Sequence, residues 1–253
     1  MPAVLCNNIE NIFWKKEHAV SSLSDFTIDI WRATLSPDLW MFNHFDKILS
    51  KDEMERADRY HQENDRQRFI ISKGILKFIL AKYLNQSPAK IKLITGLNKK
   101  PILQHHQKGD LHFNVAHSGA CILIAIAKTE IGVDVEKMDH GFSYQEILAT
   151  NFNTEEKEFV QRSKQPQQDF YLLWTRKEAL LKATAKGIDD DLHLIPSLHG
   201  DHHLETNVLH SDQDWKINSF QMAGEYIGSV AHHWQIEQIN FLDAPSSFFL
   251  HSV

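Results

Sequence analysis

Only two cysteines, Cys6 and Cys121, occur in 253 residues, too few and too far apart in sequence for a disulfide framework or a zinc site. No run approaches the ~18 apolar residues of a membrane span, and no basic segment followed by a continuous apolar core opens the chain. A protein of the reducing cytoplasm is the expectation. Neither a Gly-x-x-x-x-Gly-Lys-(Ser/Thr) loop nor a Rossmann fingerprint is present, which argues against the common nucleotide-processing folds. Excess positive charge is missing too: the formal net charge is −6, which argues against a general nucleic-acid binder and makes any phosphate site a local one. With 42% hydrophobic and 24% charged residues, the chain is neither disordered nor fibrous and can bury a substantial core.

What is present concentrates in two stretches. In Gly132-Val133-Asp134-Val135-Glu136-Lys137, apolar and acidic residues alternate as on a strand with one dry face, so Asp134 and Glu136 point the same way. About forty residues on, in Trp174-Thr175-Arg176-Lys177-Glu178-Ala179-Leu180-Leu181-Lys182, apolar residues recur at helical spacing and Glu178 and Lys182 sit four apart on one face. A third carboxylate and a cation can thus join the pair. Three crowded acidic groups repel unless something positive sits among them, and a hard divalent cation with oxygen ligands, magnesium, is the natural answer. The ordinary alternative for each stretch alone is a solvated strand edge and a surface salt bridge.

Together the two stretches resemble the signature of the 4′-phosphopantetheinyl transferases of the larger monomeric, surfactin-synthetase-activating type: Gly-(Ile/Val)-Asp-x-Glu, then Trp-(Ser/Thr)-x-Lys-Glu-(Ala/Ser)-x-x-Lys. Upstream, Lys99-Lys100-Pro101 resembles that family's Gly-Lys-Pro turn, and Phe113-Asn114-Val115-Ala116-His117-Ser118 its Asn-x-Ser-His-Ser segment. Lys99 stands where Gly is usual, and Ala116 where Ser is usual. The likeness covers roughly residues 26 to 190.

Along the chain, Phe26 to Leu35 alternates like a strand and Lys51 to Leu84 is helical, with Pro88 closing the unit. Ala120 to Ala127 and Ile131 to Glu136 read as buried strands, and Tyr144 to Gly187 as helical, with Thr154 as a start and Gly187 as a stop. Strands are expected at Leu204 to Leu209, Trp215 to Phe220, Tyr226 to Ala231 and Trp234 to Phe241. The fold class is α+β. The resemblance implies two similar α/β halves related by a pseudo-twofold axis with the active site between them, residues 1–129 and 130–253, joined near 128 to 131. Sixteen histidines include the doublets His105-His106, His202-His203 and His232-His233. They are not read as metal ligands, because adjacent strand residues face opposite sides.

The resemblance further implies coenzyme A as donor and a serine of an apo acyl or peptidyl carrier protein as acceptor. By position, Asp134, Glu136 and Glu178 should hold the magnesium, with Glu178 also the preferred base, directly or through a water, and Glu136 its rival. Lys182 should stabilise charge at the bridging oxygen, and Lys177 should contact the diphosphate. Lys100, His117 and Ser118 match positions that contact the nucleotide or its phosphates. Arg68, Lys73 and Lys77 lie where the family places basic residues near the 3′-phosphate; Gly74 beside Lys73 would let a ligand approach the backbone. The stretch Met138 to Tyr144, with Met138, Phe142 and Tyr144, is the expected carrier-docking surface, and a monomer suffices. A non-catalytic binding module and a magnesium-dependent pyrophosphate hydrolase are the alternatives.

Overall fold

The computed structural model describes residues 1–16, 23–35, 39–104, 111–187 and 190–244. The first part of the chain forms β1 (Ala3–Asn8), β2 (Lys15–Lys16), β3 (Thr27–Thr34), α1 (Leu39–Phe45), α2 (Lys51–Ala57), α3 (Glu63–Leu84), β4 (Leu93–Thr95), β5 (Pro101–Leu103), β6 (His112–Ser118) and β7 (Cys121–Ala127). After a short turn follow β8 (Ile131–Lys137), α4 (Gln145–Asn151), α5 (Thr154–Arg162), α6 (Pro166–Thr184), β9 (Gly200–His203), α7 (Thr206–Leu209), β10 (Trp215–Met222), β11 (Tyr226–His233) and β12 (Gln238–Asp243). Two five-stranded sheets result, in the orders β2-β12-β3-β7-β6 and β8-β11-β10-β1-β9, with β4 and β5 a separate hairpin.

The same unit is built twice. A strand, a long crossover helix and a hairpin (β3, α3, β6–β7; then β8, α6, β10–β11) pair in the order first, third, second, antiparallel throughout. The terminal strands do not respect a division of the chain at residue 129: β1 runs parallel to β10 in the second sheet, and β12 parallel to β3 in the first. The two sheets thus exchange their end strands.

Every residue of β7 is buried, because one face meets α3 through Ile122, Ile124 and Ile126 and the other meets the second sheet through Leu123, Ala125 and Ala127. Ile131, Val133 and Val135 of β8 join that inter-sheet layer. Each fully buried side chain of this kind contributes roughly 1.5–3 kcal/mol. α1 and α2 pack on α3, whose buried residues lie between Ile70 and Ala81.

Several boundaries differ from the periodicity. The helical stretch from Lys51 is two helices; α2 starts on a capping box in which Ser50 and Glu53 bond reciprocally. α3 ends at Leu84 on left-handed Asn85, so Asn85 terminates a helix, and Pro88 opens a separate 3-10 turn. α5 begins at Thr154 on an Asn153–Glu156 capping box. Leu204 to Leu209 is not a strand: Leu204 and Val208, four apart, bury together as α7 forms one helical turn. Residues 234 to 237 precede β12 rather than belong to it. His105-His106 lies outside the described residues; His202-His203 ends β9 and His232-His233 ends β11.

Candidate active site

Gly132 sets the distance between β8 and α6. A Cβ there would lie 2.0 Å from the Ala179 carbonyl oxygen and 2.3 Å from the Ala183 nitrogen. Strand and helix backbones therefore touch, and the residues that share Gly132's face of β8, Asp134 and Glu136, meet the α6 face that carries Glu178 and Lys182. Lys182 Nζ donates to Asp134 Oδ1 at 2.6 Å.

The neighbours of Glu178 on α6 hold the helix rather than the site. Thr175 bonds Ser229 at 2.9 Å, and Arg176 donates to Ser219 (2.9 Å), the Ser197 carbonyl (2.6 Å) and Asn8 (2.7 Å). Lys177, expected at the diphosphate, is 0% exposed; it pairs with Glu156 at 2.9 Å and donates to the carbonyls of Leu192 and Ile195. One residue along a helix turns about 100°, which carries Lys177 away from Glu178 and into the packing against α5.

The three acidic groups feel one another. Burial, reinforced by Asp134, raises the Glu178 carboxyl to about 7. Burial also raises Asp134, with Lys182 pulling it back, and raises Glu136, with a bond from Ser118 opposing. Ser118 Oγ donates to Glu136 Oε2 at 2.8 Å and accepts from the Lys137 amide at 3.1 Å. Asp134 Oδ2 and Glu178 Oε1 are buried with no donor among the described residues. Among those residues no three acidic, His or Cys side chains form a ready metal centre. The donor set nevertheless fits a hard cation: two orphaned carboxylate oxygens in a cluster where Lys182 supplies the ion-paired positive charge.

A groove leads away from this cluster. A cavity of about 220 Å³ lies between Asn98 to Pro101 on one side and Glu178, Leu181 and Lys182 on the other. Val115 joins it to a cleft of about 450 Å³ lined by Arg68, Lys73, His117, Ser118 and Gly119, where Arg56 and Tyr60 lead on to a third space of about 430 Å³ with Arg59 and Lys99. Lys100 donates to the carbonyls of Ile131 (3.1 Å) and Ala183 (3.0 Å), and burial lowers its ammonium to about 8. Lys73 is half-buried, with its proton affinity lowered by burial; Arg68 and His117 are exposed.

Two readings of α3 need correction. Lys77 is 1% exposed and bonded to Glu53 at 2.6 Å, so it faces no ligand. Gly74 serves packing: a Cβ there would overlap the Phe45 ring at 2.1 Å. The groove also contains residues that the sequence reading passed over. Arg56 and Tyr60 fall within the stretch expected to be helical, and Asn98 precedes the Lys99-Lys100-Pro101 motif; nothing local marks any of the three. Asn114, quoted only as part of a motif, accepts from the Val133 amide at 2.9 Å and so ties β6 to β8.

Beyond β8, Phe142 is 40% exposed, whereas Met138 and Tyr144 pack onto the aromatic cluster of α6, with Tyr144 stacked on Phe170 at 4.7 Å. His140 bridges Gln167 (3.1 Å) and Glu225 (3.0 Å) beside it. No helix among the described residues is long and apolar enough to cross a membrane, and Cys6 and Cys121 are buried free thiols.

Comparison with known proteins gives matches on both sides of the groove. Residues 130–231 match the model of the 4′-phosphopantetheinyl transferase superfamily, and residues 31–129 that of the 4′-phosphopantetheinyl transferase N-terminal region. The chain is 32% identical to the 4′-phosphopantetheinyl transferase HetI of Nostoc sp. over 71% of its own length and 77% of that protein. It is 25% identical to the 4′-phosphopantetheinyl transferase Sfp of Bacillus subtilis over 72% and 81%.

Proposed function

This chain belongs to the 4′-phosphopantetheinyl transferase superfamily, and from that premise we propose that its groove holds coenzyme A while a serine of an apo acyl or peptidyl carrier protein attacks the diphosphate. Serine Oγ bonds to the β-phosphorus, the bond from that phosphorus to the bridging oxygen breaks, and adenosine 3′,5′-bisphosphate leaves. The observation that supports this reading best is the meeting of Asp134, Glu136, Glu178 and Lys182 at the end of a groove rich in cations.

Glu178, which α6 places in the same cluster as Asp134 and Glu136, takes the serine proton. Glu136 is restrained by Ser118 and is the second choice. Lys182 offsets negative charge on the bridging oxygen as its bond opens. Asp134, Glu136 and Glu178 would hold a magnesium ion, which when bound masks diphosphate charge that would repel the incoming hydroxyl. Lys100, Lys73, Arg68, His117 and Ser118 bind the donor along the groove. Lys177 and Lys77 are left out, because each is itself buried and committed to a carboxylate. Phe142, the exposed apolar residue beside β8, is where the carrier domain rests, with Met138 and Tyr144 supporting it from below. One chain carries both sides of the groove, so a monomer suffices, acting in the cytoplasm.

Incubation with magnesium, coenzyme A and a panel of apo carriers, followed by intact mass, tests the reading. Gain of the phosphopantetheine arm is expected, and Glu178→Gln should abolish it while the protein stays folded. Loading by the variant at near the parent rate would overturn the role given to Glu178.

A further inference from the structure

The hairpin of β4 and β5 ends in a turn whose two central residues, Asn98 (φ 45°) and Lys99 (φ 64°), are both left-handed. From that turn the Asn98 carboxamide reaches across to the second half and donates from Nδ2 to the carbonyls of Ala185 (2.7 Å) and Lys186 (2.6 Å). Lys100, two residues on, donates to the Ala183 carbonyl. α6 ends at Thr184 on left-handed Ala185, so the Ala183 carbonyl belongs to the group that a helix terminus leaves unpaired, and those of Ala185 and Lys186 follow directly at and after the cap. Left-handed Gly187 (φ 81°) closes against the Asn98 side chain. The C-terminal end of the helix bearing Glu178 and Lys182 is thus capped by side chains of a hairpin 87 residues away in sequence. The same two segments are the opposing walls of the 220 Å³ cavity.

We infer that Asn98 is a positioning residue: it latches the β4–β5 hairpin to the end of α6 and so fixes both the width of the cavity and the placement of Glu178 and Lys182 over Asp134. The inference rests on the transfer reading for its kinetic consequence, but the latch itself does not. Asn98→Gly keeps the left-handed turn and removes the carboxamide; Asn98→Asp keeps the shape and turns a donor towards two carbonyls into an acceptor.

In the full-length protein, kcat for loading an apo carrier from coenzyme A should fall at least about tenfold in both variants, with KM for the carrier unchanged. Hydrogen–deuterium exchange should quicken together in residues 96–101 and 183–187, and both segments should return to parent behaviour when Asn98 is restored. If Asn98→Asp does not fold, Asn98→Gly decides. A lowered melting temperature with unchanged kcat, or faster exchange in one segment alone, overturns the latch. A parent protein that loads no carrier would defeat the transfer reading, and the paired exchange would still decide the latch.

Discussion

Gly132→Ala should move α6 off its strand. The added methyl would meet the Ala179 carbonyl oxygen at 2.0 Å, the Ala183 nitrogen at 2.3 Å and the Ala183 Cα at 2.9 Å, whereas ordinary contact begins at 3.4 Å. All three neighbours are backbone, so no side chain can swing aside, and α6 must retreat by roughly 1 Å or more. Overpacking of this kind costs about 1–3 kcal/mol, and a rigid partner puts the loss at the upper end. The retreat also carries Glu178 and Lys182 away from Asp134, and a misplacement of about 1 Å can cost on the order of 100-fold in rate. Urea denaturation measures the first effect, and single-turnover loading of an apo carrier, corrected for the folded fraction, measures the second. A folded variant that loads at the parent rate would refute the claim that strand–helix contact at Gly132 sets the site.

Two further outcomes follow from the described geometry. Lys99 occupies a left-handed turn position that a β-branched or long side chain tolerates poorly, and Asn-Gly is the preferred pair there, so Lys99→Gly should raise stability by up to about 1 kcal/mol by urea midpoint; a fall would contradict the reading. Glu178 binds its proton more tightly in the folded state than in the unfolded chain, because its carboxyl is raised from 4.5 to about 7. Stability present below pH 4.5 is therefore lost as pH climbs to about 7, by up to about 3 kcal/mol in metal-free buffer. Glu178→Gln should lack that portion of the loss, and parallel pH profiles for the two proteins would be the contrary result.

The site was legible where the signal is local. Alternation in Gly132 to Lys137 and helical spacing from Phe170 to Lys182 bring Asp134 and Lys182 within hydrogen-bond distance and leave Glu178 in the same electrostatic cluster. The buried strand at β7 was legible for the same reason, being apolar at every position. What failed depended on partners far off in sequence. Gly74 looked like room for a ligand because Phe45 is not visible from position 74; Lys177 looked like a phosphate ligand because Glu156 is not visible from 177. β1, whose partners β9 and β10 lie about 200 residues further on, and the four-residue β9 offered too little alternation to announce strands. Asn98 could not be read as the cap of another helix.

The exchange of end strands has a mechanical consequence. β12 lies between β2 and β3, while β1 lies between β9 and β10, so each sheet is threaded by the opposite end of the polypeptide. Spreading the two lobes like a jaw would tear ladder bonds in both at once. A bulky ligand must accordingly enter a trough whose outline is set beforehand by the two sheets and by the small hairpin tied to the end of α6. Folding inherits the same constraint: the early-made lobe stays unfinished until residue 243 has been synthesised, and neither lobe cut from the other would retain a complete sheet.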